Sequence, residues 1–317
     1  MDRSSLDLVS DVLAGPRRMF YYAKDEYARY LLERQVAAKP LKLQTLQQSS
    51  WGRLLERPLI KQERGQWGDG LLSYERLQTL RATQPLQFRL TFDEWGSSNR
   101  HSYNWDQVSR PGYNLVVQLN FAGDHNEQYF KLMNPQVYRH PFKYGGHPSR
   151  AYKQDFTLAW ARIDISEDFS EALIEELQSD WWRAAKAEVI ERHHRKRDAN
   201  GQWKEWTTKS SRHCLEVEEC ERYLSEVLQS YGEVWDEAML TATLQLLWDE
   251  IGVERIFYHT YETGCVLKNC KPPRSLYTKL PKRFCFKKTE QAPTFLTGEL
   301  KRWNRKLKGK SAFWVMG

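Results

Sequence analysis

Two short segments hold the residues best suited to chemistry. The first, Glu175-Glu176-Leu177-Gln178-Ser179-Asp180-Trp181, gathers three carboxylates and an amide within six positions. Side chains alternate along an extended chain, so Glu176, Gln178 and Asp180 would share one face of a strand. Carboxylates brought close raise one another's pKa, which is one way to make a general base at neutral pH. Glu176 and Asp180 are therefore candidate catalytic groups, with Gln178 and Trp181 beside the substrate. The same residues also read as an acidic strand edge or a helical turn facing water.

The second segment is Tyr258-His259-Thr260-Tyr261-Glu262-Thr263-Gly264. Ligands of open α/β sheets gather at the carboxyl ends of strands, which is where the spacing puts these residues. His259 titrates near neutral pH, Glu262 is placed to orient it, and Tyr258 would flank the substrate. A histidine between tyrosines is equally a hydrogen-bonded core residue.

A third segment, Lys271–Phe284, interleaves prolines with cations and rings. Arg274, Lys282 and Arg283 suit phosphates while aromatic rings stack on bases; the alternative is a packed connection whose charges face water. His213-Cys214 with Cys220, or Cys265 and Cys270 with Cys285, offers soft metal ligands, but no matched CxxC pair occurs and zinc is not expected. The chain has no GxxxxGK[ST], no GxGxxG and no GxSxG, which argues against a Walker ATPase, a Rossmann dehydrogenase and a nucleophile elbow.

The elements that must position these residues change character along the chain. Residues 1–85 read as helices and turns, an accessory layer in which Phe20, Tyr27, Leu31 and Leu32 make one helical stripe over Met19–Val36. From Leu86 the period becomes two, with Leu86, Phe88, Leu90 and Phe92 on one face. Leu115–Phe121 and Phe156–Ile165 are further strands, with a polar loop at Gly96–Trp105, a short helix near Asp124–Asn134 and a loop at Pro135–Ser149. Leu173–Asp180 reads either as a strand or as the start of a helix. A hydrophilic excursion, Arg195–Ser211, follows it, and residues 215–229 form another helix. Tyr231-Gly232 reads as a break; beyond it Trp235–Ile251 is a helix ended by Gly252, and Arg255–Thr260 a strand.

Composition sets the class. The 317 residues carry 13 Trp, 16 Tyr and 13 Phe, enough for a well-filled core or an interaction surface. The net charge of +7 favours anionic partners, a nucleic acid or an acidic protein, although the basic residues crowd only Arg192–Arg197 and the tail from Lys279. Five cysteines in a long chain fit a reducing compartment, no apolar leader opens the sequence, and no stretch approaches a membrane span. The cytoplasm is the expected location.

The QSDW string, with the later helix, strand and Thr263-Gly264 step, resembles a domain of large polyvalent proteins of phages and plasmids over residues 112–286. That resemblance implies a mobile-element or defence setting, with a nucleic acid or a host or phage protein as partner. It also favours a strand that turns into a helix near Ser179. The order helix 235–251, strand 255–260 and Ser275–Phe284 looks like the last half of a GNAT acyltransferase, in which Tyr277 would donate a proton near the acyl group and Glu176 would be a base. Such enzymes cradle the coenzyme A pyrophosphate on a glycine-rich loop at a helix N-terminus. Ser230-Tyr231-Gly232-Glu233 is acidic with a single glycine, so coenzyme A is not expected. The expected fold is α/β (α+β): a mixed central sheet with flanking helices and a GNAT-like core over 86–317, preceded by a helical accessory region over 1–85. The expected function is group transfer or hydrolysis on or beside nucleic acid, the alternative being a non-catalytic binding module or a subunit of a larger assembly.

Overall fold

Alternation from Leu86 onward is realised as the long strand Leu86–Ser97, whose partner Gly112–Phe121 runs antiparallel beside it. The computed structural model describes residues 1–14, 18–80, 84–97, 107–133, 142, 144, 146–152, 155–195, 217–269, 271–307 and 312–317. In chain order the main strands are β1 (Arg18–Tyr22), β2 (Leu86–Ser97), β3 (Gly112–Phe121), β4 (Asp155–Ile165), β5 (Glu171–Gln178), β6 (Arg255–His259), β7 (Lys287–Thr289) and β8 (Phe313–Met316). They lie side by side as β1-β2-β3-β4-β5-β6-β8-β7, with the two residues Ala151–Tyr152 paired to β4. Among the described residues every pairing in this sheet is antiparallel except β5 with β6. The fold class is thus the expected mixed α/β sheet with flanking helices.

Four helices carry or support the candidate residues: α1 (Asp180–Arg195), α2 (Gln229–Gln245), α3 (Tyr261–Leu267) and α4 (Arg274–Arg283). α2 continues as a π-helical turn over Leu246–Ile251 and stops at Gly252, whose φ of +83° suits a residue without Cβ. Tyr231-Gly232 is not a break. Both residues lie inside α2, and a Cβ on Gly232 would come within 2.2 Å of the Trp182 ring, so the glycine serves close packing. The helix start expected at Trp235 therefore does not exist.

The first 85 residues are not helical throughout. Phe20 belongs to β1, where it faces Phe88 of β2, because the run Arg18–Tyr22 is rich in rings that fit a pleated surface. The stripe of Tyr27, Leu31 and Leu32 does form, on the helix Glu26–Val36. The excursion Arg195–Ser211 lies, beyond its first residue, outside the described residues, as do most of the loops expected at 96–105 and 135–149.

The two faces of the sheet differ. One carries the large core: Leu115, Val117, Leu119, Ala161, Ile163, Ile174, Leu177 and Tyr258 pack on α2, α4 and the helix Glu26–Val36. The other carries two small apolar clusters, Leu173-Phe257-Leu267-Leu296-Phe313 and Trp95-Val116-Trp160. Between and beside them run buried polar side chains, among them Gln118, Arg162, Asp164, Glu176 and His259. Burying polar groups is costly unless they find partners, so this face holds whatever chemistry the sheet offers.

Candidate functional site

The two segments singled out in the sequence are neighbours. β5 and β6 run parallel, in register from Glu171 with Arg255 to Ile174 with Tyr258. Beyond that point Glu175 and His259 follow at the carboxyl ends of the paired stretch. The 173–180 segment is a strand to Gln178, and α1 opens at Asp180.

Alternation predicts that only one of Glu175 and Glu176 can face the polar side. The ladder slips here: Arg162 pairs with Glu176, yet Ile163 pairs with Ile174, which leaves Glu175 as a bulged residue. Both carboxylates then reach polar partners. Glu175 takes two hydrogen bonds from Ser109, from the backbone N–H at 3.0 Å and from Oγ at 2.7 Å, and sits 3.0 Å from His259 Nε2. Ser109 Oγ is 2.9 Å from that same nitrogen, and His259 Nδ1 has no partner among the described residues. One ring nitrogen thus serves both neighbours, which is not the relay a serine nucleophile needs. Burial lowers the His259 pKa, favouring the neutral ring. Burial alone would raise Glu175; the His259 hydrogen bond, Lys268 and Ser109 overcome it and bring the carboxyl to about 2.

Glu176 meets two cations. Arg162 Nη2 donates to Oε2, and Lys268 Nζ lies 3.6 Å from the same oxygen. Lys268 also donates to the Tyr277 hydroxyl at 2.7 Å, which in turn donates to the Glu175 carbonyl at 3.2 Å. Tyr277 therefore stands where β5 and β6 cease to pair. Burial opposes ionisation of Glu176, but Lys268 and then Arg162 hold its pKa below the ordinary value. The mutual raising expected of clustered carboxylates does not occur, because each carboxylate has its own donors or cations. A lowered pKa makes a stable anion and a weak base.

The third carboxylate has a different company. Asp180 accepts from Trp160 Nε1 at 2.9 Å, from Arg183 Nη2 at 2.9 Å and from Gln178 Nε2, and lies 2.9 Å and 3.0 Å from His147 Nδ1 through its two oxygens. Burial opposes its ionisation; the His147 and Trp160 bonds and the Gln178 amide outweigh burial and hold its pKa low. His147 packs against the rings of Tyr144 at 4.5 Å and Trp160 at 5.4 Å. Its side chain keeps 17% exposure. Among the described residues its Nε2 makes no hydrogen bond. A histidine held at Nδ1 by a buried carboxylate, with Nε2 open, can take or give a proton.

The remaining candidates separate from this centre. Glu262 is exposed on the first turn of α3, and the acid beside His259 is Glu175 instead. Tyr258 is buried on the large-core face with its ring 5.4 Å from Tyr277. Trp181 lies in an aromatic cluster and donates to Tyr223 Oη at 2.8 Å. Arg283 pairs with Asp236 at 2.8 Å, while Arg274 and Lys282 are exposed over the rings of Tyr261 and Trp314.

Sequence reasoning missed His147, Ser109, Arg162, Trp160 and Lys268. None stands beside an acid in the chain; only the His/Gly/Pro-rich character of 135–149 marks His147. Of the metal candidates, His213, Cys214 and Cys270 lie outside the described residues. Cys265 and Cys285 are free thiols, Cys220 is buried, and burial pushes the Cys285 thiol up to about 12. Among the described residues no cluster of three His, Cys, Asp or Glu side chains could hold a metal, and no helix is long and apolar enough to cross a membrane.

No family model, no curated protein and no solved structure matches this chain.

Proposed function

We propose that the protein is a group-transfer or hydrolytic enzyme in which His147 is the general base and Asp180 orients it. The observation that carries this reading is the pairing itself: a buried carboxylate on Nδ1, and an Nε2 left open on a partly exposed ring. Nε2 would draw the proton from a hydroxyl or water nucleophile as it attacks, and Asp180 would stabilise the imidazolium so formed. Positioned proton transfer of this kind contributes about 10²–10⁴-fold to rate.

A GNAT-like core fits the same reading. α2, then β6, then the Tyr277-bearing α4 follow in the order that such a core requires, and the Tyr277 hydroxyl sits in the gap beyond the paired ends of β5 and β6. The stretch Ser230-Tyr231-Gly232-Glu233, where the resemblance would put the glycine-rich phosphate loop of coenzyme A enzymes, lies inside α2. The donor group is therefore proposed to come from something other than coenzyme A. The +7 charge favours an anionic substrate, nucleic acid foremost, and the QSDW resemblance points to a mobile-element or defence setting.

The test is a panel of chromogenic esters, chromogenic phosphodiesters, acetyl coenzyme A and labelled oligonucleotides, run with the native chain and His147→Asn. Turnover of one class that falls at least 100-fold in the variant supports the proposal; turnover that survives intact sinks it.

The rival reading is a binding module, favoured by the exposed cations Arg274, Lys279 and Lys282 on one helix. It predicts oligonucleotide affinity that falls steeply with salt and with alanine at those three positions, and that ignores His147.

A further inference from the structure

We propose that Arg162 is an oxyanion subsite that receives a phosphate or carboxylate group of the substrate beside His147. Its role in turnover rests on the catalytic reading of the His147–Asp180 pair, whereas binding itself does not.

Arg162 lies on β4 and is 1% exposed. A guanidinium has five N–H groups and no means of losing its charge in a protein. Nη2 is used: it donates to Glu176 Oε2 and, at 3.0 Å, to the Gln107 carbonyl. Nε and Nη1 are buried and have no hydrogen-bond partner among the described residues. Each buried donor left open is costly, so a cation with two open nitrogens is poorly explained by stability alone. Its one carboxylate is also shared, because Lys268 approaches the same Glu176 oxygen.

The open cation and the proposed base are neighbours of one ring. The Trp160 indole lies 5.8 Å from Arg162 Cζ and 5.4 Å from the His147 ring, and its N–H binds Asp180. The Trp95 ring also lies 5.2 Å from Arg162 Cζ. Two aromatic rings shield Arg162 from water and strengthen any ion pair it makes. Arg162, Glu176, Gln178 and Trp160 all point to the same face of the sheet by register.

An incoming anion would compete with the segment that supplies the Gln107 carbonyl. Gln107 holds a φ of +65°, in the left-handed region that residues other than glycine rarely adopt. Its carbonyl accepts from Arg162 Nη2 at 3.0 Å. The same segment is fastened further on, where Ser109 binds Glu175 and Arg110 binds Asp164 at 2.6 Å. An anionic oxygen is a stronger acceptor from guanidinium than a peptide carbonyl. An incoming oxyanion thus displaces the Gln107 carbonyl and takes up the N–H groups now open, which sets the rest of the substrate against Nε2 of His147.

The experiment titrates the full chain with inorganic phosphate and, separately, acetate at constant ionic strength, reading Tm and tryptophan fluorescence with chloride as the control. A saturable response to one anion and not to chloride is the expected result, and the more effective anion tells a phosphate-bearing from a carboxylate-bearing substrate. Arg162→Lys keeps a cation against Glu176 but lacks the open nitrogens, and is expected to weaken binding about tenfold or more. Glu176→Gln keeps Arg162, removes the competing anion and is expected to tighten binding; this arm decides the matter if the lysine variant does not fold. His147→Asn is expected to leave anion affinity unchanged, so turnover that survives in that variant overturns the base and leaves the subsite standing, whereas absent anion binding overturns the subsite and leaves the base standing. Absence of a saturable response to either anion overturns the proposal. So does unaltered affinity in folded Arg162→Lys, or affinity in Glu176→Gln no tighter than in the native chain.

Discussion

His147 Nδ1 lies 2.9 Å from Asp180 Oδ1, across 33 residues of chain, and this contact joins a loop to the first residue of α1. The carboxylate is fixed from several other directions, by Trp160, Gln178 and Arg183. The imidazole therefore inherits its orientation from an anchored group.

Asp180→Asn should impair catalysis through the tautomer rather than through folding. An asparagine amide can donate to Nδ1, which moves the ring proton to Nε2 and removes the open lone pair. A kcat loss of about 10²–10⁴-fold is expected with KM changed far less. Steady-state kinetics on the substrate class found with the native chain measure both, and an unaltered kcat would remove Asp180 from the mechanism.

Glu175 gives the native state an acid limit. Its folded pKa, brought to about 2, lies below the ordinary value of 4.5, so the carboxylate stabilises the fold fully above about pH 4.5. That contribution is lost as the pH falls from 4.5 toward 2, because the unfolded chain takes up the proton first. Glu175→Gln should lower stability at pH 7 and flatten the decline below pH 4.5. Urea unfolding at pH 7 and pH 3.5, native chain against variant, shows both effects.

His125 acts in a higher window. Burial brings its pKa to about 4 from 6.5, and its ring stacks on Phe121 at 3.5 Å while Nε2 meets Tyr223 Oη at 2.8 Å. The unfolded state binds this proton below pH 6.5 and the folded state only near pH 4. Stability should therefore fall across pH 6.5 to 4 with a slope of up to about 1.4 kcal/mol per pH unit from this residue. His125→Phe keeps the stacking and removes the titration, so the slope in that window should drop by up to about one proton. Stability curves at half-unit steps of pH provide the check.

Gly232→Ala sets two effects against each other. Alanine in a helix interior gains about 1 kcal/mol over glycine. The new Cβ would stand 2.2 Å from the Trp182 ring, and overpacking of that kind costs about 1–3 kcal/mol. Net destabilisation is expected, relieved in the Gly232→Ala, Trp182→Ala pair so that the double variant loses less than the sum. Thermal unfolding of the four proteins closes the cycle.

The local elements could be read from the chain where one rule governed them. Leu86–Trp95 alternates and the helix before Gly252 needs a left-handed terminator, whereas 173–178 fitted both periods and is extended in the structure. The juxtaposition of Glu175-Glu176 with Tyr258-His259 follows from the parallel pairing of β5 with β6, which no single segment dictates. Glu175 was not legible, because alternation forbids two adjacent side chains on one face and only the slipped ladder at Arg162/Ile163 permits it. Gly232 misled for a similar reason: a break and a close approach demand the same residue, and only the Trp182 ring tells them apart.

The sequence by itself determined the class of the molecule, several of its strands and helices from Leu86 to His259, and the histidine-bearing end of one strand, because these depend on periodicity and on neighbours in the chain. The tertiary structure alone decided which acid serves which base. Asp180 goes to His147, Glu175 to His259 and Ser109, and Glu176 to Arg162 and Lys268. Ionisation depends on burial and on partners distant in sequence, and those are properties of the packed sheet face, not of any segment of the chain.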